Sequence, residues 1–553
     1  MSLASFKERV GKHAGLALAS VYFASLVASA RSIGFGRDES FYFSAARAYA
    51  GWFRQLLTSP AVAFTRGAVD AGWNYNHEHP PLAKALFAFS WMLTEGGKRL
   101  GVDESLSFRL PAMLLAAMLV WLTHRMAREL YGDRAAFFAA ALLACIPRLF
   151  FHAHLACFDI PIAAMWTLAV YMFVRALRAP TLPHTLGLAL VCGLTLATKH
   201  NAWMLPAVFA PPLLLRLATS DAATRARLVG TAFCTVLLAP VIAIAAWPWL
   251  WFDTLPRIQE YVGFHMHHDY YNVEYFGRNI NAAPSPFGYA FVLTAATVPS
   301  VTLLLWGLGV VRLAGSWWGD VRAYGARFFA REQRFAELVY LLAFAVPYAA
   351  FMVPSTPVFG GTKHWMTAYP FLAIAAGYGA DWCVVHVFKI RWFRRQRFAF
   401  AALAACLLAA PLAETSHARD FGLSNYVPLI GGTEGGANLG FHRQFWGFTT
   451  QSLAPYFEAD RARGSVFIHD TTQGAFTQMQ AEGRLPKALQ PSNAPNHANY
   501  AIVHHELHMA EIEYNLWNAF NSPAPSYVLT HDGVPIISVW KRAKKQTGES
   551  IKE

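Results

Sequence analysis

FDIPIAAMWTLAVYMFVRALR, residues 158–178, decides how the chain is read. One carboxylate, Asp159, opens it, two arginines, Arg175 and Arg178, close it, and no charged residue lies between Asp159 and Arg175. At 1.5 Å per residue the stretch reaches about 30 Å, the thickness of a bilayer's hydrocarbon core. It reads as a transmembrane helix with its basic end in the cytoplasm and Asp159 at the outer rim.

Working outward, apolar runs of this kind recur about eleven times, near 14–34, 108–130, 135–149, 157–178, 183–198, 200–217, 228–251, 288–312, 335–354, 366–388 and 397–413. Of the 553 residues, 55% are hydrophobic and only 14% charged, against about 25% charged in a soluble domain. The net charge of +13 does not form one basic face. It is dealt out between apolar runs, which points to membrane topology and away from nucleic acid. With a cytoplasmic N-terminus the inside loops collect Arg125, Arg128 and Arg134, then Arg175 and Arg178, then Arg216, Arg225 and Arg227. Arg312, Arg322, Arg327, Arg331 and Arg334 follow, and finally Lys389, Arg391, Arg394, Arg395 and Arg397. The short outside loops carry single basic residues, Arg148, Lys199 and Lys363. The first run follows Lys7, Arg9 and Lys12 without a clear small-residue cleavage site and reads as a retained span. The six cysteines (145, 157, 192, 234, 383 and 406) fall in or beside apolar runs with no CxxC pair, so they read as small core residues.

The expected fold is a polytopic α-helical membrane protein of about 11 transmembrane helices with a small C-terminal α/β domain. Residues 1–413 form the membrane module, with a first extracytoplasmic loop at 35–107 and a second at 252–287. Within the first, Leu82–Leu93 is too short to span comfortably and suits an amphipathic interfacial helix. From 414 to 553 the chain turns polar, with strand-like runs at Ser465–His469, Tyr500–His504 and Ile536–Trp540.

This topology sends the unusual ionisable groups to one face. Asp38 and Glu39 follow the first span, and His77, Glu78 and His79 precede Pro80-Pro81. Arg148, His152, His154 and Asp159 gather at the fourth span, Lys199 and His200 at the outer end of the fifth, and Lys363 and His364 at the head of the tenth. Ionisable side chains at membrane depth are costly, so by default they mark function. Carboxylates can activate a hydroxyl, while Lys, Arg and His can hold a phosphate leaving group.

These residues also carry a resemblance. Gly36-Arg37-Asp38-Glu39-Ser40-Phe41-Tyr42 resembles the first-loop Asp-Glu signature of GT-C glycosyltransferases. His77-Glu78-His79-Pro80-Pro81-Leu82-Ala83-Lys84 is similar to the His-Pro-Pro-Leu-x-Lys segment of the protein O-mannosyltransferases, which share this architecture with the aminoarabinose transferases of lipid A. Phe158-Asp159-Ile160-Pro161, Thr198-Lys199-His200-Asn201, Lys363-His364-Trp365 and Gly440 to Gly447 resemble later segments in the same order. The resemblance implies a sugar donor on polyprenyl phosphate, an inverting transfer, a periplasmic active site and a bacterial inner-membrane location. It implies Asp38 as general base, Glu39 orienting it or the acceptor, and Asp159 shaping the acceptor pocket or holding a cation. Arg148, Lys199, Lys363 or His364 would hold the carrier phosphate, with Glu78 and His79 also in the substrate site. No cofactor is required, although a divalent metal at Glu78 and His265 stays open. The acceptor, whether protein, lipid or glycan, stays open too.

Blander readings stand beside these. Asp38 and Glu39 suit a solvated pair at a helix end, Asp159 a helix cap, and Lys199, Lys363 and Arg148 snorkelling to the interface. His265, His267, His268 and Asp269 suggest a metal, yet such loops are rich in His for other reasons. His504, His505, Glu506 and His508 lack HExxH spacing and read as surface or structural residues. The rival function is a lipid or solute transporter, whose polar site would lie near the midplane between repeats. No repeat is present, and the charges sit at span ends. An oligosaccharyl transferase would show a WWD-type motif in its outer domain, and Trp317-Trp318-Gly319-Asp320 falls on the inside.

Overall fold

The computed structural model describes residues 3–543 apart from 326–328, 330, 388 and 390–397, with side chains from residue 13 onward. Arg327, Arg391, Arg394, Arg395 and Arg397 of the expected inside loops, and the side chains of Lys7, Arg9 and Lys12, lie outside this description.

Helices cover every apolar run read from the sequence. Seven of the described ones are long and apolar enough to cross a membrane: Glu104–Ala144, Asp159–Arg178, His200–Thr219, Ala222–Ala245, Ser300–Tyr324, Met366–Val387 and Ala399–His417. His13–Ser29 and Leu182–Leu196 are shorter apolar helices, and Glu332–Ala350 opens on Glu332, Arg334 and Glu337. The single run expected at 288–312 is two helices, Tyr289–Thr297 and Ser300–Tyr324. Pro299 between them has no N–H to donate back into the first helix.

Glu104–Ala144 is 41 residues long, and a straight helix of that length would part its ends by about 60 Å. Its ends nevertheless meet, because Arg109 near its start and Ala156 just beyond it bind the same Glu39 carboxylate. The reversal falls at Gly132, where φ is 83° and ψ is −179°, values that only glycine adopts without strain. The separate runs at 108–130 and 135–149 are thus joined by almost no loop.

The bundle packs on small residues. A Cβ on Gly309 would lie 1.9 Å from the Ala375 carbonyl, and one on Gly379 2.0 Å from that of Leu305. Helix backbones approach this closely only where a side chain is absent.

The first loop folds into helices Glu39–Thr58, Pro60–Ala63, Arg66–Trp73 and Leu82–Leu93. The second forms helix Thr254–Met266 and a hairpin of β1 (Val273–Tyr275) and β2 (Arg278–Ile280). The C-terminal region carries β3 (Gly464–Phe467), β4 (Leu489–Ser492), β5 (Tyr500–His504), β6 (Tyr527–His531) and β7 (Val534–Lys541). They form one sheet in the order β4-β3-β5-β7-β6, parallel among the first three and antiparallel at β7 and β6. Three of these strands match the runs read from the sequence. The sheet shares one apolar core with the first loop, where Phe35, Phe43 and Trp73 join Val466, Ile502 and Ile537. Glu482 also accepts hydrogen bonds from the Ser105 N–H and hydroxyl, both at 2.8 Å.

Gly379→Ala is expected to cost about 1–3 kcal/mol by overpacking. Gly307→Ala, which would meet nothing within 4 Å, is expected to leave stability level or slightly raised. Melting of the two variants in detergent separates them, and equal melting temperatures would discount the close helix contact.

Candidate active site

The site is built around an ion pair that does not face it. Arg109 and Glu39 are both fully buried. Arg109 Nε and Nη2 donate to the two Glu39 oxygens at 2.8 and 2.7 Å, and its remaining N–H groups reach the carbonyls of Ala30, Ile33 and Gly34. The same carboxylate accepts the Gly36 N–H at 3.0 Å and the Ala156 N–H at 2.9 Å. Four donors occupy it. Glu39 therefore neither lines the cavity nor has a lone pair directed at a substrate, which corrects its expected contact with the acceptor. It fastens the turn that presents Asp38 to the turn that presents Asp159. On a helix consecutive residues point about 100° apart, so with Glu39 turned inward Asp38 turns the other way.

Asp38 turns into a cavity of about 480 Å³. Its walls also include Glu78, His79, Asp159, Lys199, Lys363 and His364, gathered from five separate parts of the chain. At the head of helix Asp159–Arg178, Asp159 accepts from Lys199 Nζ at 2.8 Å and lies 3.3 Å from His152 Nδ1. Lys199 is thus committed to a carboxylate.

Asp38 and Lys363 differ from this pair. Neither side chain makes a hydrogen bond or ion pair among the described residues. Lys363 Nζ instead sits over the rings of Trp446 and Phe359, at 4.2 and 5.1 Å. Burial pushes the Asp38 carboxyl above the ordinary aspartate range, and Lys363 pulls it back most among the neighbouring charges. Burial likewise lowers Lys363, and Asp38 opposes this most.

Glu78 and His79 are set by Lys84. This buried lysine donates to the carbonyls of Asn76 and His79, at 2.5 and 2.9 Å, and holds the turn in which Asn76 takes a positive φ of 56°. Burial brings Lys84 down to about 7. Glu78 accepts from Asn76 Nδ2 at 2.5 Å. His265, expected to share a metal with it, bonds the Glu78 carbonyl instead at 3.0 Å. Among the described residues the clusters of three or more groups that converge as metal ligands lie elsewhere.

Arg148 also departs from expectation. It is buried behind the cavity, donating to the Leu423 carbonyl at 3.2 Å with its guanidinium over Tyr426. The covering segment comes from some 275 residues downstream, which no local pattern reveals. His154 is tied to Ser29 and the Phe150 carbonyl and stays out of the cavity. His364 lines it, and burial holds its ring well below the usual histidine range.

Sequence reasoning assigned no site role to the cavity's other wall, although His442 and Trp446 lie in the resembling Gly440–Gly447 segment. Asp470, Glu506, His508, His442 and Trp446 line it from the C-terminal region. Glu506 and His508 are not surface residues: their side chains are 5% and 21% exposed. The odd density of acid and imidazole at 504–508 was their only signal.

Residues 78–251 match the family model of dolichyl-phosphate-mannose-protein mannosyltransferase. The oligosaccharyltransferase of Archaeoglobus fulgidus in its apo form is similar at a TM-score of 0.50 and 12% identity, over 92% of this chain and 71% of that one. The fold is that of the GT-C glycosyltransferases. Two further solved structures similar to this chain are ArnT from Cupriavidus metallidurans in the apo state and bound to undecaprenyl phosphate. They give TM-scores of 0.45 and 0.46 at 16% and 15% identity, covering 97% and 95% of this chain and 98% and 97% of theirs. No curated protein sequence matches the chain. With its GT-C fold and its membrane helices, the chain is a multi-pass membrane protein.

Glu39→Gln leaves Arg109 buried without its paired carboxylate and is expected to destabilise the protein by about 3–5 kcal/mol. Glu39→Gln with Arg109→Met is expected to cost less than the two single losses summed. Additive losses in detergent melting would show the pair is not the fastener.

Proposed function

We propose that this chain is a membrane glycosyltransferase that moves a sugar from a polyprenyl-phosphate donor to a hydroxyl (or phosphate) acceptor, with Asp38 as general base. The observation that carries the reading is that Asp38 and Lys363 share one cavity, each without a side-chain hydrogen bond or ion pair among the described residues. Asp38 takes the proton of the acceptor hydroxyl as its oxygen attacks the anomeric carbon. The bond from that carbon to the phosphate oxygen breaks, and its electron pair leaves with the carrier phosphate. Attack from the face opposite the phosphate inverts the anomeric centre. Lys363 receives the charge developing on the phosphate. Lys199 keeps Asp159 ionised and in place, and its own phosphate contact is secondary.

Support comes from the neighbours' ligands. ArnT is described bound to undecaprenyl phosphate, and archaeal AglB in complex with an inhibitory peptide and a dolichol-phosphate. The family model likewise names a lipid-phosphate sugar. Residues 1–413 act as the catalytic membrane module and 414–553 as an extracytoplasmic domain covering the site. Basic loops at the opposite helix ends support a cytoplasmic N-terminus and a periplasmic site, at a bacterial inner membrane. A transporter fits less well, because the polar groups here lie at helix heads and not at mid-helix.

Purified protein with polyprenyl-phosphate sugars and an acceptor panel should release polyprenyl phosphate only when acceptor is present. Asp38→Asn should slow this by about 10²–10⁴-fold at unchanged melting temperature; full turnover would remove the assignment.

The pH profile gives an independent check. Asp38 acts only when ionised, and burial raises its pKa, so kcat/KM should rise with pH through a limb above about 3.9. Lys363→Met removes the cation that lowers that pKa, so the limb should move to higher pH. A limb that stays put would separate Lys363 from Asp38.

A further inference from the structure

On the wall supplied by the sheet domain, Glu506 and His508 meet Glu274 of β1, from the second loop. One ligand atom of each lies within 4.8 Å of the others. Glu274 is 4% exposed, and its Oε1 accepts the Leu507 N–H at 2.6 Å, so loop and sheet domain already touch here. Among the described residues no lysine or arginine pairs with Glu274 or Glu506; their charged-range neighbours are His442 and His508. Arg443 and Arg37 act on these carboxylates only from beyond ion-pair distance, so two buried carboxylates without a contacting fixed cation form an incomplete electrostatic arrangement.

His442 shows what is missing. Its Nε2 accepts the Glu274 N–H at 2.9 Å, so the proton of the neutral ring is on Nδ1. That Nδ1 is buried without an acceptor and points at the cluster, 3.7 Å from Glu274 Oε1, on a residue only 7% exposed. An imidazole N–H directed at a carboxylate is the outer support that metal-binding carboxylates use. The ligand nitrogen itself, His508 Nδ1, is also buried and without a hydrogen bond, as is Asp470 Oδ2 beside it.

We propose that Glu274, Glu506 and His508 bind a divalent cation of the zinc class, which fastens the second loop to the sheet domain. Two carboxylates and one imidazole suit such a borderline cation. Bonds of about 2.0–2.2 Å keep any two ligand atoms within about 4.4 Å, so only a small contraction is needed. The site is separate from the groups assigned to transfer, and metal binding is read without donor or acceptor.

Protein purified in detergent, stripped with EDTA and titrated with zinc chloride is assayed for metal retained after desalting and for melting temperature. The wild type should retain about one equivalent more than Glu274→Gln/His508→Ala and melt higher with zinc. His442→Ala should bind about 10–100-fold more weakly, and Glu78→Gln as the wild type does. Equal retention in the double variant, no retention by the wild type, or loss through Glu78→Gln alone would overturn the site. Should the double variant not fold, anomalous scattering at the zinc edge of the wild type decides. A peak between Glu274, Glu506 and His508 supports the site, and a peak elsewhere or none overturns it.

Discussion

The buried pair of Arg109 and Glu39 is the constraint on which the site's geometry rests. Neither residue reaches the cavity, yet their bonds hold the 30–39 turn, the start of the Glu104–Ala144 helix and the chain just before Asp159 at one point. Removing charges from water is expensive, and the cost is offset here because every Glu39 oxygen and most Arg109 donors find partners. Such a junction tolerates little displacement. It converts two sequence-distant acids, 121 positions apart, into neighbours with a defined relative orientation.

A second pin works in the same way. Lys84 spends its three protons on the backbone and side chain of Asn76 and the carbonyl of His79. It thereby fixes a loop whose Pro80-Pro81 would otherwise leave carbonyls unmatched. Both pins lie within or beside motif residues, but their side chains point away from the cavity. Motif membership thus mixes residues that face the substrate space with residues that hold the others in place.

This explains what was legible in the sequence. Charge asymmetry and apolar length depend on composition alone, so the helical bundle could be read directly, as could the gathering of Asp38, Asp159, Glu78, Lys199 and Lys363 at one place. Orientation could not. Asp38 and Glu39 are adjacent acids with equal claim to a role until helix rotation sends one inward. Arg148 looked like a lone outer cation until a segment near Leu423 covered it. Glu506 read as a surface or structural residue and Asp470 drew no reading, because nothing local says that the sheet domain folds back over the first loop. The span at 288–312 failed for a simpler reason: Pro299 lacks the N–H needed to continue one helix.

Charge then divides the cavity. Lys199 and Lys363 lie at the heads of membrane helices, one already tied to Asp159 and the other resting on aromatic faces. Asp470 and Glu506 enter from the sheet domain, with Arg37 3.8 Å from Asp470 at the boundary. In a space of about 480 Å³, too small for bulk screening, such a gradient is felt across its whole width. An anion is drawn to the membrane end and repelled from the domain end. Asp38 is set between opposing influences: Lys363, Arg37 and Lys199 favour its ionised form, while burial and Asp159 oppose it. A group that must gain and lose a proton is best placed there, because neither field alone fixes its charge.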